Sequence, residues 1–127
     1  MNERYIFDVK NKQIQIERSW DDITKLDISP LLEEFSFFEG MFRNGHFILS
    51  NRYQENDPLV YQHFFIEKEN EEYKIKKGKL WDDHQLRFFD FLSDHTIQVT
   101  SCRDGKKVYY DLSTKEEQVD PPKIKIK

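Results

Sequence analysis

The sequence predicts a mainly β, antiparallel fold in a single domain that spans residues 1–127. Aromatic residues make up 15% of the chain, with 11 Phe, 6 Tyr and 2 Trp, and alanine is absent. Aromatic and β-branched side chains suit the pleated surface of strands, whereas helix bundles rely on alanine and leucine. Short segments of alternating apolar and polar residues recur between turn residues along the chain. These observations predict a meander of about 9–11 short strands.

The chain begins with a predicted hairpin. Residues 4–9 and 13–18 alternate with period two on either side of Lys10-Asn11-Lys12, a pattern typical of two paired strands. Asp8 closes the first of these segments, and Asp111 occupies the same place in the similar segment VYYDLSTKEEQVD near the end of the chain. We expect both carboxylates to support turns, since Asp readily accepts hydrogen bonds from nearby backbone.

One or two short helices are predicted near residues 20–35. Ser19 with an acidic residue three positions later resembles a capping box and predicts a helix over about residues 20–27. Ser29-Pro30 is typical of a second helix start, because proline is favoured at the first helical position. This second helix is expected to reach about residue 35.

From residue 36 onward, apolar alternation interrupted by Gly, Asn, Asp and Ser predicts a continuous meander. Three of the expected strands contain adjacent phenylalanines, which place aromatic side chains on both faces of a sheet. Sheets covered on both faces occur where sheets stack. The expected strands lie near residues 36–42, 46–53, 59–67, 72–77, 86–92, 95–101, 107–112, 116–119 and 123–127.

The strands also suggest an internal repeat with a period of about 50 residues. GHFILS at 45–50 resembles DHTIQVT at 94–100, and the hairpins that follow them are similar too. This likeness predicts units at about 36–77 and 84–120, with a partial unit at 4–18. The closing hairpin of each unit resembles the last two strands of a β-propeller blade, and a small closed barrel is the alternative arrangement.

Composition excludes some classes of partner. The net charge is -4 with both signs interleaved, which argues against nucleic-acid binding, because that function needs a basic field. No apolar run reaches the length of a membrane span, and the first residues lack the apolar core of a signal peptide. With a single cysteine, Cys102, the chain is expected to be cytoplasmic, without nucleic-acid or membrane partners.

No motif in the chain predicts catalysis, a cofactor or a metal. The nucleophile-elbow, dinucleotide-binding and phosphate-loop patterns are all missing. His46, His63, His84 and His95 lack the close spacing of metal ligands. We therefore expect no enzyme activity, no cofactor and no metal site.

The function that these traits favour is a small protein–protein interaction module, such as an inhibitor or immunity-type protein that binds a basic partner. An acidic hairpin tip and an acidic strip beside a tryptophan are the expected contact surfaces, since interfaces combine aromatic anchors with charged rims. The expected contact residues are Glu67, Glu69, Glu71, Glu72, Trp81, Asp82 and Asp83.

Two other functions remain open at this point. A closed β-barrel could bind a small apolar ligand in its interior. Alternatively, the chain could be a homo-oligomeric structural protein in which units from several copies complete a repeat array.

Overall fold

The computed structural model describes residues 3–42, 44–51 and 59–121, and these residues form an antiparallel β structure with one short helix. The mainly β class predicted from the sequence is confirmed. In chain order the elements are β1 Arg4–Asp8, β2 Gln13–Ser19, β3 Asp22–Asp27, α1 Ser29–Glu34, β4 Phe37–Met41, β5 His46–Ser50, β6 Tyr61–Glu69, β7 Glu72–Trp81, β8 Arg87–Phe91, β9 Thr96–Ser101, β10 Lys107–Asp111 and β11 Glu117–Gln118.

The strands form three separate sheets, and in each sheet strands that are consecutive in the chain pair with one another. Sheet 1 contains β1–β3, sheet 2 contains β4–β7 and sheet 3 contains β8–β11. Within the described residues no sheet closes into a barrel, so the alternative of a small closed barrel is wrong. Instead of curling around an interior, each sheet covers its apolar face by packing on the next sheet.

Sheet 2 is the middle layer, because side chains of its strand β5 are buried against both of the other sheets. Phe47 and Leu49 point to sheet 1, Ile48 points to sheet 3, and all three have no exposed surface. One apolar cluster therefore lies between sheets 1 and 2, and a second lies between sheets 2 and 3. The buried members of the first are Ile14, Ile28, Phe35, Phe47, Leu49 and Phe64. Those of the second are Ile48, Tyr61, Trp81, Ile97, Val99 and Tyr110.

The helix predicted over residues 20–27 is wrong, because this segment forms the turn after β2 and then strand β3. Ser19 pairs with Asp22 across the turn, and its Oγ donates to Asp21 at 2.7 Å instead of capping a helix. Leu26 lies opposite Ile14 of β2, so the strand extends the sheet on which the first core cluster is built. The head of the chain thus has a third strand beyond the predicted partial unit at 4–18.

The second predicted helix is confirmed as α1, although its start differs in detail. Pro30 lies in the first turn as expected, but Ile28 occupies the capping position without a side-chain cap. The Asp27 carboxylate accepts hydrogen bonds from the Ser29 backbone nitrogen and Oγ, at 3.0 and 2.6 Å. An aspartate before the helix therefore holds its first residue.

The expected strands from residue 36 to 119 correspond to β4–β11 within a few residues at each end. The expected strand at 123–127 and the last two residues of the one at 46–53 lie outside the described residues. The turn-supporting role expected for two aspartates is also confirmed. Asp8 accepts from the Asn11 backbone at 3.1 Å, and Asp111 accepts from the backbones of Ser113 and Thr114 at 2.7 and 2.9 Å.

Candidate functional site

The predicted acidic tip is the hairpin between β6 and β7. Its turn residues Asn70 and Glu71 have φ values of 48° and 68°, and two positive φ values in a two-residue loop define a type I′ turn. Glu67, Glu71 and Glu72 are exposed, and Glu69 is half-buried. The hairpin therefore holds all four predicted glutamates together on a tight turn.

Lysines compensate part of this negative charge. Glu69 pairs with Lys76 at 2.9 Å and with Lys74 at 3.7 Å, and Glu71 pairs with Lys68 at 3.6 Å. The hydrogen bond from Lys76 lowers the pKa of Glu69, so this carboxylate is ionised at neutral pH.

Two other glutamates of the same hairpin differ from these. Glu67 and Glu72 form no ion pair within the described part of the chain. They are the carboxylates of the hairpin that remain available to a partner.

The turn between β2 and β3 presents Trp20, whose side chain is 90% exposed. Arg18, just before the turn, donates two hydrogen bonds to the Asp22 carboxylate, at 2.9 and 2.7 Å. Paired, charge-assisted bonds of this kind fix geometry as well as adding energy. The tryptophan is therefore held out into solvent by a turn that is braced on both sides.

These two turns lie at the same end of the molecule. Tyr73 of β7 donates to the Glu3 carboxylate at 2.8 Å, and Tyr5 of β1 donates to it at 2.7 Å. The Arg18 guanidinium lies 5.1 Å from the centre of the Tyr73 ring, and the Lys68 ammonium lies 5.4 Å from it. We call the surface formed by Glu3, the turn residues 18–22 and the hairpin residues 67–73 the acidic end.

Ionisation states at the acidic end are well defined. Burial raises the pKa of Glu3, but the hydrogen bonds from Tyr5 and Tyr73 outweigh burial and lower the pKa overall. The hydrogen bonds between Arg18 and Asp22 raise the pKa of the guanidinium and lower the pKa of the carboxyl. These groups all carry their full charges at neutral pH, so the site is suited to electrostatic recognition.

The second predicted surface, at Trp81, Asp82 and Asp83, lies at the other end of β7. This strand has ten residues, which corresponds to about 30 Å along its axis. Trp81 is only 5% exposed and packs in the cluster between sheets 2 and 3, whereas Asp82 and Asp83 are exposed. The structure therefore does not bring the predicted residues together, and Trp81 offers little surface to a partner.

A small polar cleft of about 220 Å³ opens beside these aspartates. Asp83 forms a bidentate ion pair with Arg87, which lowers the pKa of the Asp83 carboxyl. Lys79 of sheet 2 pairs with Glu117 of sheet 3 at 3.5 Å. The charged groups of the cleft thus largely neutralise one another, and its lining includes neither a histidine nor Cys102.

A histidine pair lies between sheets 2 and 3. His63 is 3% exposed, and its Nε2 lies 3.0 Å from Nδ1 of half-buried His46. Nδ1 of His63 is buried without a hydrogen-bond partner. Across the described residues, no group of three or more His, Cys, Asp or Glu side chains is placed to hold a metal ion. The His63 ring also packs edge-on against Tyr110 of sheet 3, so the pair contributes to the packing of sheets 2 and 3.

The sequence pattern does not predict the part of the acidic end that lies outside the hairpin, namely Glu3 and the turn residues 18–22 with Trp20. The pattern around it resembles a helix start, and on a helix Trp20 would be one surface residue among others. Its prominence depends on the two-residue turn, which only the pairing of β2 with β3 reveals. The glutamates were identifiable because consecutive charges between two alternating segments are typical of a hairpin tip.

The described residues contain no helix with the length and apolarity needed to cross a membrane. Comparisons of the chain with protein-family models, curated proteins and solved structures found no match.

Proposed function

We propose that the protein binds a basic protein partner through its acidic end and that Trp20 is the central anchor of the interface. The observation that carries this proposal is the 90% exposure of a tryptophan on a braced turn. Tryptophan is among the residues most enriched at energetic hot spots of interfaces. The bonds between Arg18 and Asp22 fix the backbone of the turn that carries Trp20, so this backbone loses little conformational entropy on binding, which favours affinity.

Charge supports a basic partner. Glu67 and Glu72, which form no ion pair in the described part of the chain, share this end with Asp21 beside Trp20. Complementary charge accelerates association and excludes wrong partners more than it adds affinity. An inhibitor or immunity-type protein that covers a basic surface of a toxin or nuclease is the kind of binder that fits this arrangement.

The test is site-specific photo-crosslinking in the cell, with a crosslinking amino acid at position 20 and, as matched control, at position 88. Phe88 is 60% exposed but lies on sheet 3, away from the acidic end. We expect a basic protein to be crosslinked from position 20 and not from position 88. With the purified pair, Trp20→Ala should weaken binding at least about 30-fold, as expected for a hot spot worth about 2 kcal/mol or more.

A charge-reversal variant provides a second, independent test of the interface. Glu72→Lys should slow association and reduce its dependence on salt, because exposed rim charges act mainly on the association rate. If the captured protein binds Trp20→Ala and Glu72→Lys as tightly and as fast as it binds the unaltered chain, the acidic end is not the interface.

The same proposal includes a cytoplasmic location, the absence of catalysis and the absence of nucleic-acid or membrane partners. It also retains the prediction that sheets 2 and 3 are repeat units of propeller-blade type. Their common strand order supports this relation, since each is a four-stranded meander.

Homo-oligomeric assembly is a second candidate, favoured by the apolar side chains exposed on the outer face of β8. Phe88 of β8 is 60% exposed, and Leu92, the residue that follows the strand, is 40% exposed. Light scattering at micromolar concentration tests it: a monomer would rule out assembly, whereas an oligomer that Phe88→Ser dissociates would support it. The remaining alternative, an apolar ligand inside a barrel, lacks the closed barrel it requires.

A further inference from the structure

An apolar groove runs between sheets 1 and 2 along β7. Within the described residues sheet 1 has three strands and sheet 2 has four, so the last strand of sheet 2 extends past the edge strand β3. The space beside β3 and α1 is a cavity of about 330 Å³. This volume lies at the lower end of the range of small-molecule sites.

The walls of the groove are mostly apolar. Leu26 of β3 and Leu31 of α1 form one side, and Tyr73 and Ile75 of β7 form the other. All four are only half-buried, whereas Phe64 beneath them is fully buried. A ligand with a hydrocarbon body would therefore cover apolar surface that the fold leaves partly exposed to water, which is favourable.

The polar groups of the lining differ in their availability. The Asp27 carboxylate already accepts two hydrogen bonds from Ser29, and the Tyr73 hydroxyl donates to Glu3. The Lys77 ammonium lies on the same face of β7 as Tyr73 and Ile75 and forms no ion pair or hydrogen bond in the described part of the chain. The groove thus combines apolar walls with the Lys77 ammonium, which has no ion-pair partner in the described part of the chain, and the Asp27 carboxylate, whose Oδ1 is held by Ser29.

We propose that this groove binds a small apolar carboxylate, with the hydrocarbon between Leu26 and Ile75 and the carboxylate on the Lys77 ammonium. The binding is non-covalent. Charge complementarity selects the anion over its neutral analogue, and the apolar walls select a hydrocarbon over a hydrophilic acid. The proposal concerns a different surface from Trp20 and does not depend on the protein partner.

Titration of the full chain with octanoate, followed by amide NMR shifts, tests this site. We expect the largest shifts at β3, α1 and β7, and a weaker affinity for the uncharged analogue octanol. Lys77→Gln should lower octanoate affinity about fivefold without changing octanol affinity, since an exposed ion pair is worth up to about 1 kcal/mol. Lys77→Arg should retain octanoate binding.

The matched control is Lys25→Gln, because Lys25 is an exposed lysine of β3 that does not line the groove. It should leave both affinities unchanged, as should Trp20→Ala. A bulky substitution, Leu31→Trp, should fill the groove and abolish binding of both compounds while the fold, checked by circular dichroism, persists. Shifts located elsewhere, no saturable shifts at all, or equal effects of Lys77→Gln and Lys25→Gln would overturn the proposal.

Discussion

Among single residues, His63 has the most unusual environment, because it is a nearly fully buried imidazole in the middle sheet. Its Nε2 faces Nδ1 of His46, while its own Nδ1 has no partner. A buried N–H donor without a partner is rarer in proteins than a buried acceptor without one, and the His63 Nδ1 lies close to Gly78. The favoured arrangement therefore has His63 Nε2–H donating to His46.

Acid should destabilise the fold through this pair. Burial, and secondarily the neighbouring His46, lowers the pKa of His63 from 6.5 to about 4. Between these two pH values the unfolded chain binds a proton that the folded chain does not, so stability is complete above pH 6.5 and falls toward pH 4. The loss should be about 3 kcal/mol.

Urea denaturation at a series of pH values measures this effect. His63→Phe should flatten the slope between pH 6.5 and 4, whereas His84→Asn, at an exposed histidine with φ of 63°, should leave it unchanged. An unaltered slope in His63→Phe would assign the acid sensitivity to other groups.

Gly78 lies directly against His63. A Cβ added at this position would be 2.2 Å from the histidine Nδ1, and the buried ring has little room to move away. Gly78→Ala should therefore destabilise the protein by about 1–3 kcal/mol, the usual cost of overpacking.

A double-mutant cycle measured by chemical denaturation checks this cause. In a His63→Val background, the alanine should cost much less, because the atom that it clashes with has been removed. Equal costs in the two backgrounds would mean that the backbone at position 78, and not the histidine, requires glycine.

Among the elements, the β6–β7 hairpin carries a strained residue. Glu71 has a φ of 68°, a conformation that glycine adopts without a steric cost and other residues do not. Glu71→Gly should stabilise the protein by about 1 kcal/mol, since Asn-Gly is the preferred sequence of a type I′ turn. The lost pair with Lys68 is exposed and contributes little.

Thermal unfolding of this variant, compared with Glu67→Gly, provides the measurement. Glu67 lies within the paired part of β6, where glycine weakens a strand. The two substitutions remove the same charge and should shift the melting temperature in opposite directions. A decrease in both variants would contradict the assigned turn type.

The elements also mark how far the sequence could predict the fold. Strands of period two, such as β8, could be located because one face is more buried than the other. Strand β5 is buried on both faces, and it could be located from its apolar residues and the glycine turn before it. Residues 20–27 could not, because the spacing of Ile23 and Leu26 suits one face of a helix, whereas in β3 these residues lie on opposite faces of the strand. The pairing of Leu26 with Ile14 in the sheet is what distinguishes the strand from a helix.

For the molecule as a whole, the central position of sheet 2 predicts cooperative unfolding. Ile48 and Leu49 are adjacent, fully buried and directed into opposite clusters. Ile48→Ala and Leu49→Ala should each cost about 2–5 kcal/mol. Because both clusters rest on the same strand, either substitution should destabilise all three sheets.

Denaturation followed by far-ultraviolet circular dichroism and by Trp81 fluorescence in a Trp20→Phe background tests this coupling. Coincident transitions in both variants are expected, as for two-state unfolding. If Leu49→Ala shifted the dichroism transition but not the Trp81 transition, sheets 1 and 3 would unfold independently.

The candidate site is likewise only partly predictable at this scale. The glutamates of the acidic end belong to one sequence segment, so their proximity could be read from a hairpin pattern. Its other half comes from Glu3 and residues 18–22, which meet the hairpin through Tyr73 and Arg18. When two segments are far apart in the sequence, a contact between them leaves no periodic pattern in the chain.

The contrast between the two tryptophans makes the protein its own optical sensor. Trp20 is 90% exposed and Trp81 is 5% exposed, so the first should emit at longer wavelength and be quenched readily by acrylamide, and the second should be shielded. A partner that covers the β2–β3 turn would protect only the long-wavelength emission of Trp20 from quenching. Separation of sheets 2 and 3 would instead change the short-wavelength emission of Trp81. Binding and unfolding can thus be followed in the same sample without an added dye.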